Sequence, residues 1–217
     1  MKKFFIILLA LTVSIISCNK DDEDVKADPK WTIYDGTNGL INSTAISVAC
    51  DLNGKVFIGQ ADGVTTYDNG VFQQYPMDES SFYDLHLDKQ GNMWGGVHWE
   101  DLMKFENDTW IVPNDEISNI IDIKDGENNT IWFCSDGHIL VEYDGTNWMQ
   151  HQIPDSLVRS DGRLICTYED HNAKLWVGSW DGLYSLDGDT WEVYDLVPDY
   201  YTERVQCLLV ADNGDLY

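Results

Sequence analysis

One aromatic position recurs along this chain of 217 residues and restricts its fold more than any other feature. It closes a short turn-then-apolar phrase at Phe57 (NGKVF), Trp94 (QGNMW), Trp132 (NNTIW), Trp176 (NAKLW) and Tyr217 (NGDLY), with spacings of 37, 38, 44 and 41 residues. The repetition extends beyond the anchor. "KLWVGSWDGLYSLDGDTWEVY" from Lys174 to Tyr194 reads almost as a translation of "KVFIGQADGVTTYDNGVFQQY" from Lys55 to Tyr75. A fixed period of about 40 residues marks an array of small, similar units, each too small to bury its own apolar faces.

Within a unit, four short runs alternate apolar and polar residues and favour Val, Ile, Trp and Tyr, as strands do. In the fourth unit they are "RLICTYE", "KLWVGS", "GLYSLD" and "TWEVYDL", separated by the turns "EDHNA", "WDG" and "DGD". Asp, Asn and Gly in those turns supply the positive-φ residues that tight hairpins require. No window carries a helical period. Four antiparallel strands per repeat predict an all-β chain built as a β-propeller, with the large anchors packed between neighbouring blades. The expected repeats span 40–75, 76–113, 114–154 and 155–198, with a partial fifth over 199–217 and a lone outer strand over 31–39. That makes about four and a half blades. A sheet left open inside a blade exposes a raw edge, so the expectation is a chain truncated from a longer, seven-bladed form.

The residues also resemble a known family. "AISVACDLNGKVFIGQADGVTTYDNG" and "RLICTYEDHNAKLWVGSWDGLYSLDGDTW" look like the two-component regulator propeller repeat, in which D-x-x-G-x-φ-W-φ-G is followed by a short loop and a final hairpin. The match covers Trp31 to Tyr217. The second unit departs from it with the longer loop "GGVHWEDLMKF", and the third places Cys134 where Gly59, Gly96 and Gly178 stand elsewhere. The resemblance implies the sensing half of glycan-responsive signalling proteins, which favours binding over catalysis.

The first residues address the chain to the envelope. Lys2 and Lys3 precede an apolar run from Phe4 to Ile16, shorter than the ~20 residues a spanning helix needs and matching a secretory signal. "IISC", Ile15 to Cys18, resembles a lipobox. It implies removal of residues 1–17, a diacylglyceryl thioether and palmitate on Cys18, and anchoring of a soluble domain to a bilayer. Residues 18–30 form a lipidated tether whose acidic tract, "NKDDEDV", resembles a surface-export signal of Bacteroidota lipoproteins. The expected location is the outer membrane, exposed at the cell surface, with a periplasm-facing position as the second choice. A net charge of −25 argues against nucleic acid as a partner.

Catalytic signatures are absent from the sequence. The five histidines are scattered, no C-x-x-C occurs, and most aspartates sit in turns. No metal, no cofactor and no enzymatic activity are therefore expected, and Cys50, Cys134, Cys166 and Cys207 read as free, small apolar side chains. The loops between second and third strands should share one face of the propeller. They supply the candidate ligand residues Gln60, Asp62, His98, Trp99, Glu100, Asp136, His138, Trp180 and Asp181. Flat aromatic rings beside carboxylates suit sugar recognition. The favoured reading is a lipid-anchored binding or sensing module for a glycan or an envelope protein. Two alternatives stand beside it. One is the sensor part of a truncated sensor kinase. The other is a propeller glycosidase or lyase, using two of Glu100, Asp101, Asp136 and Asp181 held ~5–9 Å apart.

Overall fold

A computed structural model of the protein describes residues 32–77, 80–158, 162–194, 204–211 and 214–217. The expected signal segment, the lipidation site Cys18 and the tether to residue 30 lie outside the described residues. All described strands belong to the unit Tyr34–Tyr217.

Sixteen strands form four sheets among the described residues. The first holds β1 (Ala45–Cys50), β2 (Val56–Gln60), β3 (Gly63–Asp68) and β4 (Val71–Pro76). The second holds β5 (Ser81–Leu87), β6 (Met93–His98), β7 (Met103–Glu106) and β8 (Thr109–Ile111). The third holds β9 (Ile120–Asp125), β10 (Ile131–Ser135), β11 (Ile139–Tyr143) and β12 (Trp148–Gln152). The fourth holds β13 (Leu164–Glu169), β14 (Leu175–Ser179), β15 (Gly182–Asp187) and β16 (Thr190–Tyr194). Each is an antiparallel meander in sequence order, and the first strands β1, β5, β9 and β13 contact one another in succession. This is a run of propeller blades with their first strands innermost.

The turns explain the recurring sequence signature. Asp51 Oδ1 accepts the backbone N–H groups of Asn53 and Lys55 at 2.8 and 2.9 Å. Asp88 does the same for Gln90 and Asn92, and Asp170 for Asn172 and Lys174. The second oxygen of the carboxylate takes the anchor's indole: Trp94 Nε1 donates to Asp88 Oδ2 at 2.8 Å, and Trp176 Nε1 to Asp170 Oδ2 at 3.0 Å. The D-x-x-G-x-φ-W phrase is thus one hydrogen-bonded unit. In the third blade Gly126 replaces the aspartate, and the carboxylate comes from the next blade, where Glu169 Oε2 accepts Trp132 Nε1 at 2.6 Å. The outer hairpins are equally local: Asn69 and Gly70 both take positive φ, as do Asn107 and Asp108, which matches the type I′ turn of a two-residue hairpin.

The core lies between blades. Phe57, Val64, Phe82 and Met93 fill the first seam; Trp94, Leu102, Ile123 and Phe133 the second; Trp132, Leu140, Leu164 and Tyr184 the third. Each such side chain contributes about 1.5–3 kcal/mol on burial. Phe57, Trp94 and Trp132 are buried as expected. Trp176 is only half-buried, flanked by Tyr194 and Lys174 of its own blade, and Tyr217 is exposed. Gly59, Gly96 and Gly178 leave room for the backbone carbonyls of Phe82, Ile120 and Val205, which come close to where a Cβ would stand.

One expectation at the ends changes. Among the described residues of 31–39 there is no strand: 32–34 have no regular structure, and the Asp35 carboxylate curls the chain by accepting Thr37 N–H at 2.8 Å. Tyr34 instead lays its ring against Tyr67 and Phe72 of the first blade. In the fifth repeat, Leu209 and Tyr217 exchange backbone hydrogen bonds at 3.0 and 2.8 Å, the start of a hairpin. The cysteines are free, but only Cys134 and Cys166 are buried; Cys50 and Cys207 are exposed because their faces of β1 and of residues 204–211 have no covering blade among the described residues.

Candidate ligand-binding site at the mouth of the inner-strand cavity

The innermost strands share an irregularity. Each pairs with its neighbour through a register shift, which leaves one residue unmatched: Ile46 in β1, Tyr83 in β5, Ile121 in β9 and Ile165 in β13. A bulge re-aims one side chain out of the alternating pattern. Here Tyr83, Ile121 and Ile165 are turned into a common cavity of about 330 Å³. The remaining lining comes from the ends of strands and the loops beyond them: His98, Asp136, Arg163, Trp180 and Arg204. The bulges therefore build an apolar floor, and the loops add a polar rim.

Electrostatic order on the rim centres on Asp136. Its Oδ2 lies 3.4 Å from His98 Nε2, and its Oδ1 lies 3.7 Å from Arg163 Nε. Opposite, the Arg204 guanidinium sits 3.7 Å above the Trp180 ring. The His98 ring is sandwiched between Tyr83 and Trp99, with centroids 4.6 and 4.7 Å away. Asn119 ties two of these loops together: its Oδ1 accepts Trp99 N–H at 3.0 Å, its Nδ2 donates to the Asp136 carbonyl at 3.2 Å, and its own N–H donates to the Glu100 carbonyl at 2.7 Å.

One step below the mouth, side chains tie each innermost strand to the next. Ser47 Oγ donates to the Phe82 carbonyl at 2.9 Å, Asp84 Oδ2 accepts Ile123 N–H at 2.8 Å, and Asp122 Oδ2 accepts Thr167 N–H at 2.9 Å. Burial pushes the Asp84 carboxyl up, partly offset by the nearby Lys124 ammonium. Burial would pull Lys124 down, but Asp122 and Asp84 outweigh it and hold the ammonium above the usual lysine range. Burial also pushes the Cys166 thiol up to about 12 and Cys134 well above its ordinary value. Neither is a ready nucleophile at neutral pH.

The sequence-predicted residues divide accordingly. His98, Asp136 and Trp180 line the cavity, and Trp99 packs on His98 from outside it while remaining exposed. Gln60 is fully buried, accepting from Thr65 Oγ1 at 2.6 Å and donating to the Asn42 carbonyl, so it fastens the entry segment and is closed to solvent. Asp62 accepts from Asn42 Nδ2. Asp181 is turned into its own blade, accepting from Ser179 Oγ and Tyr184 Oη at 2.7 and 3.1 Å. His138 and Glu100 lie outside the cavity lining. Of the four carboxylates considered for glycosidic chemistry, only Asp136 reaches the mouth.

Tyr83, Ile121, Ile165, Arg163 and Arg204 were not among the expected site residues. The bulges do leave a trace: Ala45-Ile46-Ser47, Phe82-Tyr83-Asp84, Ile120-Ile121-Asp122 and Leu164-Ile165-Cys166 are matched triplets that break strict alternation. A larger depression of about 660 Å³ lies on the outer hairpins, lined by Lys55, Asp68, Gln73 and Asp108 among others; no re-aimed side chain converges there.

Blades, bulged inner strands and a shared mouth define the class: an all-β propeller protein. No family model matches the sequence, and no curated protein matches it. Solved structures do. Virginiamycin B lyase from Staphylococcus aureus superposes with a TM-score of 0.61 at 15% identity, covering 79% of this chain and 61% of that one. A streptogramin B lyase gives 0.63 at 14% identity, covering 79% and 60%. The chain thus spans about three-fifths of the length of these lyases. PorZ, a bacterial surface component of the type IX secretion system of Porphyromonas gingivalis, gives 0.53 at 13% identity, covering 80% and 30%. At these identities the likeness establishes the fold. No helix among the described residues is long and apolar enough to cross a membrane.

Proposed function

We propose that this propeller is a non-catalytic binding or sensing module, held at the cell envelope by a lipid on Cys18, and that its ligand enters the mouth of the inner-strand cavity. The observation that carries the reading is the convergence of three bulge residues, Tyr83, Ile121 and Ile165, with Trp180 and the polar rim around one cavity. Strand bulges sacrifice ladder pairing, and repeating them on successive inner strands is a cost that re-aimed side chains explain. The cavity falls within the size range of small-molecule sites and mixes apolar surface with a few fixed polar groups, as such sites do. Trp180 is 43% exposed and Trp99 70% exposed although Arg204 covers part of the first and His98 packs on the second, so part of each ring remains open to a sugar or a peptide side chain. Candidate ligands are an envelope glycan or an envelope protein.

The test is binding of an oligosaccharide panel, measured by calorimetry, to the native chain and to Trp180→Ala. The expected outcome is saturable binding that Trp180→Ala weakens about tenfold, the scale of one lost stacking contact. Affinity indifferent to Trp180→Ala would move the ligand away from the mouth. Turnover of any panel member would instead mark an enzyme.

A further inference from the structure

We propose that the mouth of this cavity is an anion subsite, and that its ligand is an acidic sugar: a ring whose apolar face rests on the floor while a carboxylate or sulfate meets the arginines. The inference rests on the ligand-binding reading above and narrows it to one chemical class.

Its basis is the distribution of positive charge. The chain carries 38 acidic and 13 basic residues, and only three of the basic ones are arginine. Two of those three, Arg163 and Arg204, line this one cavity; Arg159 lies outside the described residues. Against them the lining holds a single carboxylate, Asp136, so the lining itself carries more positive than negative charge; one step below it, Asp84 and Asp122 face the Lys124 ammonium. Distant acidic groups do not cancel this, since charges beyond about 8–10 Å are largely screened at physiological salt.

Both guanidinium groups are held in place before a ligand arrives. Arg163 is tethered by Asp136 at 3.7 Å, and that carboxylate is steadied from its other side by His98. The Arg204 guanidinium carbon sits 3.7 Å from the centroid of the Trp180 ring, within stacking distance. Stacking occupies a guanidinium's face and leaves its in-plane N–H donors directed outward, the geometry that receives a carboxylate or sulfate through paired hydrogen bonds. Below, Ile121, Ile165 and the Tyr83 ring offer an apolar surface for the C–H face of a sugar. A neutral ligand would gain nothing from the charge of these guanidinium groups, and a cationic one would be repelled by it.

The experiment compares charged and neutral versions of one scaffold on the full chain. The probes are tetragalacturonic acid, its fully methyl-esterified form, a chondroitin sulfate tetrasaccharide and neutral maltotetraose, each titrated calorimetrically at low and high salt. The expected result is binding of an acidic probe at least tenfold tighter than its neutral counterpart, weakening as salt rises. Arg204→Gln should lower that affinity about tenfold. Arg204→Lys should recover part of it, and both variants should keep the native melting temperature because Arg204 is exposed. Binding of the galacturonate shows that a carboxylate suffices, and binding of chondroitin sulfate that is lost on removing its sulfate identifies sulfate as the group received. Equal affinity for the acid and its methyl ester, with loss in Trp180→Ala, overturns the anion subsite and leaves the mouth as the binding site. Binding by none of the four at millimolar concentration overturns the acidic-sugar proposal, and failure of the wider oligosaccharide panel as well overturns the glycan reading and leaves an envelope protein as the ligand.

Discussion

At the scale of single residues, carboxylates in the inner turns do most of the organising. Asp170 shows how. Burial alone would raise its carboxyl, but the Trp176 indole and the Asn172 and Lys174 N–H groups outweigh it and hold the group below its ordinary value of 3.8. The stabilisation from a depressed carboxyl is complete above that ordinary value and is lost as pH falls through the lowered one. Asp170→Asn should therefore lower stability at neutral pH and flatten its decline on the acid side, as read from urea midpoints between pH 2 and 7. Asp84 works in the opposite sense. Its folded value is raised, so its contribution is greatest at low pH and fades as pH rises from the ordinary value through the raised one. The sequence showed Asp170 as a turn residue and could not show its bond to the anchor, because the two meet only once the hairpin closes.

At the scale of elements, the strands were legible and the irregularities in them left only a faint trace, the paired apolar residues of each triplet. Alternation, hairpin turns and the anchor spacing predicted four strands per unit and located those of the fourth. A bulge adds a residue without altering composition, so Tyr83, Ile121 and Ile165 read as ordinary strand positions. The same first strands pack by backbone, and this predicts a sensitive point. A methyl group at Gly96 would meet the carbonyl carbon and oxygen of Ile120, which are main-chain atoms that cannot rotate away. Gly96→Ala should cost about 1–3 kcal/mol through strain in this seam. The measurement is a fall in urea midpoint with an unchanged slope. An unchanged midpoint would mean that the second and third blades can separate slightly at no cost.

For the whole molecule, the period in the sequence was enough to give the propeller, because each blade repeats the same local solution. The binding mouth was only half legible. His98, Asp136 and Trp180 lie on loops that repeat position identifies, whereas Arg163 and Arg204 enter from the segments leading into inner strands, where nothing in the local pattern marks them. The envelope address belongs to this scale as well. If Cys18 is acylated, the native chain should incorporate an alkyne-tagged palmitate in cells and fractionate with membranes, and Cys18→Ala should lose both. A Cys18→Ala chain that keeps its label would place the lipid elsewhere.

The third blade's anchor finds its carboxylate in the fourth, since Gly126 holds the place where Asp88 and Asp170 stand in their own blades. A repeat whose anchor bonds within its own blade carries that bond with it when it is duplicated or deleted. This one does not. Removing the fourth unit would strand the Trp132 indole, and an aspartate at 126 would have to displace the Glu169 carboxylate from the same place. In the third and fourth blades the heritable unit is the pair. Any relative that gained or lost blades should have done so on either side of that pair and not through its middle.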